Sequence, residues 1–147
     1  GAQLAQRMWA AAKVAIGGNG RPEGLDRGWY VQPTVFSEVD NSMRIAQEEI
    51  FGPVLVVIPY EEEADALRIA NDSEYGLAGS VWTEDQAHGV DIARQVRTGT
   101  YGVNIYTMDF TAPFGGFKGS GIGREFGPEG LDEYVELQSI AVPAPPA

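Results

Sequence analysis

The chain contains no cysteine and a single histidine among its 147 residues. Without a thiol it has no disulfide, no thiolate metal site and no cysteine nucleophile of its own. One imidazole, His88, excludes a histidine-rich zinc site and leaves general-base chemistry few candidates. Beside Gln86 and Ala87 it reads as a solvated position on a helix. Bases are scarce as well: ten against twenty-one acids leave a formal net charge of −11. Such a chain repels phosphate backbones and anionic lipid, so neither nucleic acid nor a membrane surface is an expected partner. No apolar run approaches the roughly 20 residues that a membrane helix needs, and no charged-then-apolar leader opens the sequence. A cytoplasmic location is the expectation. The first residue is Gly1 rather than methionine, which suggests that the chain was processed or cut from something longer.

What is present suits a soluble globular protein. Apolar residues make up 44% and charged residues 21%, and the length is that of one domain with one core. Leu4, Met8, Ala11 and Ala12 fall at near-helical spacing in residues 3–12. Residues 13–16 read as a brief strand stopped by Gly17-Gly18-Asn19-Gly20, and residues 20–28 as a loop. The β-formers of residues 29–36 predict an extended stretch that Pro33 confines to an edge or an irregular strand. The run 54–60 is continuously apolar, as in a strand covered on both faces. Residues 61–70 predict a helix with acids in its first turn, and 77–83 a further strand. Asp85 then caps a helix reaching about Val96, and 99–104 is a third strand of this series. Three strands separated by two helices predict one α/β sheet. Residues 105–123 form a long glycine- and aromatic-rich loop, a pattern more often functional than idle. A short helix at 127–134 and a last strand at 135–142 complete the chain.

Three motifs carry little chemistry. Gly119-Ser120-Gly121-Ile122-Gly123 lacks the leading strand and the spacing of a dinucleotide fingerprint, and no Walker lysine pattern occurs. Ser120 also fails the nucleophile-elbow pattern, because Lys118 and Ile122 stand where glycines are required. Asn71-Asp72-Ser73 matches a glycosylation sequon without a secretory leader. The acid pair Glu48-Glu49 is more informative. It stands just before a strand of an α/β sheet, where a carboxylate can accept hydrogen bonds from ribose hydroxyls. From spacing alone, a solvated loop acid is the more ordinary reading.

Two long motifs, Gln47-Glu48-Glu49-Ile50-Phe51-Gly52-Pro53-Val54 and Pro113-Phe114-Gly115-Gly116-Phe117-Lys118-Gly119-Ser120-Gly121-Ile122-Gly123-Arg124-Glu125, resemble the aldehyde dehydrogenase superfamily. Between and before them, Trp29-Tyr30-Val31-Gln32-Pro33-Thr34-Val35-Phe36, Ala70-Asn71, Tyr75-Gly76-Leu77-Ala78 and Gly102-Val103-Asn104 fall in the family's order. The likeness runs from about Ile16 to Val142, while residues 1–15 depart from the family's pattern. Family enzymes are several-fold longer, and only their carboxyl-terminal part is resembled.

The resemblance implies a partial three-layer α/β catalytic domain with a parallel sheet over residues 1–133, and an oligomerisation strand and tail over 134–147. It implies oxidation of an aldehyde to an acid with NAD or NADP, through a cysteine thiolate and a general base that lie outside this sequence. By motif position, Glu49 matches the ligand of the nicotinamide-ribose hydroxyls. Phe51 matches the aromatic beside the nicotinamide, and Leu77 an apolar wall of that pocket. Phe114 matches an aromatic of the aldehyde tunnel, with Tyr106, Met108 and Phe110 on its approach. Such a tunnel favours apolar aldehydes over charged ones.

The first functional reading is therefore the carboxyl-terminal portion of a dehydrogenase, inert by itself and unlikely to hold the dinucleotide alone. A second is a stand-alone assembly module that docks through exposed strand edges. A third is a repurposed hydrolase lacking both a thiol and a serine elbow. Uncovered apolar surface on residues 54–58 or 80–82 predicts self-association, with a swapped dimer as one form.

Overall fold

The computed structural model describes residues 12–145. The helix expected at residues 3–12 lies almost entirely outside the described residues. The chain divides into two compact units, Gly1–Ser73 and Glu74–Ala147, where the sequence suggested a single core.

In the first unit, strands β1 (Lys13–Ile16), β2 (Thr34–Ser37) and β3 (Val54–Val56) form one sheet in the order β1-β2-β3. β1 runs antiparallel to β2, and β2 runs parallel to β3, pairing Thr34 with Val54 and Phe36 with Val56. Parallel neighbours need a crossover. Here it carries the short helix α1 (Arg44–Gln47). Phe36 is fully buried with Val39 and Ile45, and Met43, Ile50, Val54, Val56 and Ile58 pack around them. Burying a ring of that size stabilises by about 1.5–3 kcal/mol.

Two expectations change in this unit. The extended stretch 29–36 is a ladder strand only from Thr34, because Pro33 has no N–H to give. The run 54–60 alternates rather than being covered twice: Val54, Val56 and Ile58 face the core, while Leu55 is 59% exposed and Val57 is exposed too. Helix α2 (Glu63–Asn71) follows, with Glu63 and Asp65 in its first turn where the dipole favours acids.

In the second unit, β4 (Ala78–Val81), helix α3 (Gln86–Gln95) and β5 (Thr100–Val103) make a right-sized βαβ unit with parallel strands in register from Ala78–Thr100 to Val81–Val103. Asp85 caps α3 as its sequence position suggested, accepting from the His88 N–H at 3.0 Å. The protein is thus α/β with parallel pairing. Yet β3 does not join β4 and β5 in the single sheet that the strand-helix alternation implied. Alternation specifies crossovers and does not specify which strands become neighbours.

The remaining chain is held by turns. Two 3₁₀ segments, Lys118–Ser120 and Pro128–Tyr134, stand where a loop and a short helix were expected. Residues 135–142 form no strand among the described residues. Extended backbone becomes a strand only when it pairs, and this stretch has no ladder partner, with Leu137 99% exposed.

Candidate functional site

Two groups of side chains carry the candidate chemistry, one in each unit. In the first, the residues between α1 and β3 separate the two acids sharply. Glu48 is taken by Arg44 in an i,i+4 ion pair, and this guanidinium holds its carboxyl below the usual glutamate range. Glu49 is exposed and engaged by no hydrogen bond or ion pair. Two residues on, Phe51 adopts φ +57° and is 92% exposed. A bulky residue in the left-handed region costs of order 1 kcal/mol or more, and such residues cluster at ligand sites. An available carboxylate therefore stands two residues before a ring held out from the core. Leu77, the third residue expected at a nicotinamide, is half-exposed and belongs to the second unit.

The second group surrounds a cavity of about 260 Å³ in the second unit. Tyr106, Met108 and Phe114 line it, together with Thr100, Tyr101 and Asp109. Phe110 does not. Its ring meets Phe126 edge-on at 5.1 Å, and Phe126 in turn lies 6.4 Å from Phe114. Phe110 thus meets Phe126 rather than the cavity. Asp109 accepts from both the N–H and the hydroxyl of Thr111 at 2.8 and 2.7 Å. These bonds hold its carboxyl below the ordinary aspartate range, so the cavity carries an ionised group. Burial pushes the Tyr101 phenol up. No local pattern marks Tyr101 or Phe126, since each joins its neighbours only through the fold.

The glycine-rich segment between these walls is structural. Phe117 donates its N–H to Gly76 O at 2.8 Å, Gly119 donates to Glu74 O at 2.8 Å, and Gly76 N–H donates to Ser120 Oγ at 3.0 Å. Ser120 is therefore spent on a turn. Arg124 donates to Gly116 O at 3.0 Å and stacks over Phe117 at 5.3 Å. A Cβ on Gly99 would stand 1.5 Å from Gly115 O, so only glycine fits there. Among the described residues no cluster of three histidines, cysteines or acids could hold a metal. No helix there is long and apolar enough to cross a membrane.

The model of the aldehyde dehydrogenase family matches residues 2–140. The chain belongs to that family. The match begins at residue 2 and therefore includes most of the first fifteen residues, which the sequence pattern had set apart. Among relatives, geranial dehydrogenase of Castellaniella defragrans is 57% identical over 129 residues, covering 88% of this chain and 27% of that protein. The 3-succinoylsemialdehyde-pyridine dehydrogenase of a Pseudomonas species is 48% identical, over 93% of this chain and 29% of that one.

Solved members of the family agree. A Mycobacterium tuberculosis aldehyde dehydrogenase complexed with NAD+ superposes with a TM-score of 0.89 at 57% identity, over 96% of this chain and 29% of that one. Aldehyde dehydrogenase C of Pseudomonas syringae, holding NAD+ and octanal, gives 0.86 at 46% identity, over 92% and 29%. The chain thus spans less than a third of the length of the family members it matches.

Proposed function

We propose that this chain is the carboxyl-terminal portion of an NAD(P)-dependent aldehyde dehydrogenase. In that role it contributes a cofactor contact, a wall of the aldehyde tunnel and oligomer contacts, and it is inert in aldehyde oxidation by itself. The observation that carries this reading is Glu49, free and exposed two residues before the left-handed Phe51 while Glu48 is occupied by Arg44.

A carboxylate two residues before an exposed ring suits the nicotinamide-riboside end of the dinucleotide, with Glu49 accepting from ribose hydroxyls and Phe51 presenting its face. When bound, NAD(P) supplies the hydride acceptor. The chain's own residues position and exclude water, while the thiol that attacks the aldehyde is absent from this sequence. The tunnel wall is assigned to Tyr106, Met108 and Phe114. Its apolar character favours uncharged aldehydes, and ionised Asp109 adds repulsion against acidic ones.

The test pairs the chain with a cysteine-bearing upstream portion of the Mycobacterium relative. NADH formation should require both parts and fall about tenfold on Glu49→Gln, read as a higher KM for NAD+. Aldehyde oxidation by this chain alone would overturn the reading. We place the protein in the cytoplasm and expect it to self-associate. The exposed face of β3 and residues 135–142 support that expectation, because each leaves apolar side chains in water. The same exposure favours the second reading, an assembly module, which a native product near 15.8 kDa bound to a partner would support.

A further inference from the structure

The chain has four asparagines, and the structure treats one of them differently. Asn41 donates its side-chain amide to Asp72 Oδ2 at 2.8 Å, and Asn71 donates its amide to Leu67 O at 3.0 Å. Asn104 is held at both ends by the Thr83 backbone, each contact 2.7 Å. Asn19 is exposed, and its side chain takes part in no hydrogen bond. It is also the asparagine followed by glycine.

The backbone around it is open. Gly17 and Gly18 turn the chain at φ +81° and +120°, and Gly18 N–H is anchored on Thr34 Oγ1 at 3.0 Å. Past that anchor, the Gly20 N–H has no backbone acceptor among the described residues. The atoms nearest to where a Gly20 Cβ would stand all belong to the flexible Gln32 side chain, whose amide donates to Arg21 O at 3.3 Å.

We infer that Asn19-Gly20 is a site of spontaneous deamidation, a modification site built into the β1–β2 loop. The Gly20 nitrogen gives its proton to solvent and attacks Asn19 Cγ. The new N–Cγ bond closes a five-membered imide as the Cγ–Nδ2 bond breaks, and the side-chain nitrogen takes a proton from solvent and leaves as ammonia. Water then adds to either imide carbonyl and opens the ring, giving aspartate, or isoaspartate with the backbone rerouted through the side chain. No electrons are gained or lost. Glycine matters because its missing Cβ lets the amide reach the side-chain carbonyl with little strain. The product carries one more negative charge on a chain already at −11. It lies outside the Gly18–Thr34 anchor, so the β1–β2 ladder survives it.

The folded 147-residue chain is held in neutral buffer, and the tryptic peptide 14–27, which contains no other asparagine, is followed by mass spectrometry. Isoaspartyl methyltransferase labelling marks the rerouted backbone. The expected result is conversion at Asn19 to aspartate and isoaspartate while Asn41, Asn71 and Asn104 stay intact. Gly20→Ala, whose Cβ would meet the flexible Gln32 side chain first, should slow the reaction at least about tenfold. Two results would overturn the proposal. One is an Asn19 that persists in the folded chain while it converts in urea. The other is conversion of the three held asparagines at the same rate.

Discussion

Asn104 clamps Thr83 at two points: its Nδ2 donates to the Thr83 carbonyl and its Oδ1 accepts the Thr83 N–H, each at 2.7 Å. The side chain stands in for a backbone partner where β5 ends and the turn into α3 begins. Its own backbone sits at φ +56°, a conformation asparagine tolerates better than other side-chain-bearing residues. Asn104→Ala loses both bonds and adds backbone strain, so it should destabilise by about 2–3 kcal/mol in urea unfolding. Asn104→Gly removes the bonds alone and should cost less. Equal losses for the two variants would show that the φ angle carries no strain.

Glycine positions divide by what a methyl group would meet. Gly99→Ala drives a Cβ into Gly115 O, and a loss of about 3 kcal/mol or outright misfolding is expected. Gly52 has open space around it and no left-handed φ, so Gly52→Ala should stay within about 0.5 kcal/mol. Thermal melts of the two variants make the comparison. A Gly99→Ala protein as stable as the parent would contradict the close approach of the glycine-rich loop to β5.

Tyr101 gives the second unit an alkaline signature. Its phenol is pushed up because its anion loses hydration on the cavity wall. A folded value above the unfolded one, near about 10, means that the stability it contributes is complete below that value and is lost as pH rises through the folded one. Absorbance titration should show a late-ionising phenol that Tyr101→Phe removes, together with a shallower alkaline loss of stability. Superimposable curves for parent and variant would place Tyr101 in solvent.

The two neighbouring acids should behave oppositely. Glu48→Gln breaks the Arg44 pair and slightly weakens α1 without touching cofactor use in the reconstituted enzyme. Glu49→Gln leaves stability unchanged and raises the KM for NAD+. A cofactor defect in Glu48→Gln with none in Glu49→Gln would reverse the assignment.

Local structure was legible where one residue decides it. Asp85 announced the start of α3, and the acids after Tyr60 announced α2, because caps and dipoles act within a turn. Pairing was less legible. Residues 54–60 read as doubly covered from their continuous apolar character, yet what covers a strand depends on distant chain. Residues 135–142 carry β-formers but no partner among the described residues, so propensity alone makes no strand. At the candidate site, motif position singles out Glu49 over Glu48, but the physical difference, that Arg44 occupies Glu48, appears only in the structure. Tyr106, Met108 and Phe114 line one cavity, whereas Phe110 turned toward Phe126, a partner sixteen residues away that no spacing rule identifies.

The most direct test of the account is NADH formation by this chain with an uncharged aldehyde, alone and then mixed with the cysteine-bearing portion of the Mycobacterium relative. The account predicts no turnover alone and measurable turnover in the mixture, reduced by Glu49→Gln. Turnover by the isolated chain would contradict it, because a sequence without cysteine would then be performing chemistry that the account assigns to an absent thiol.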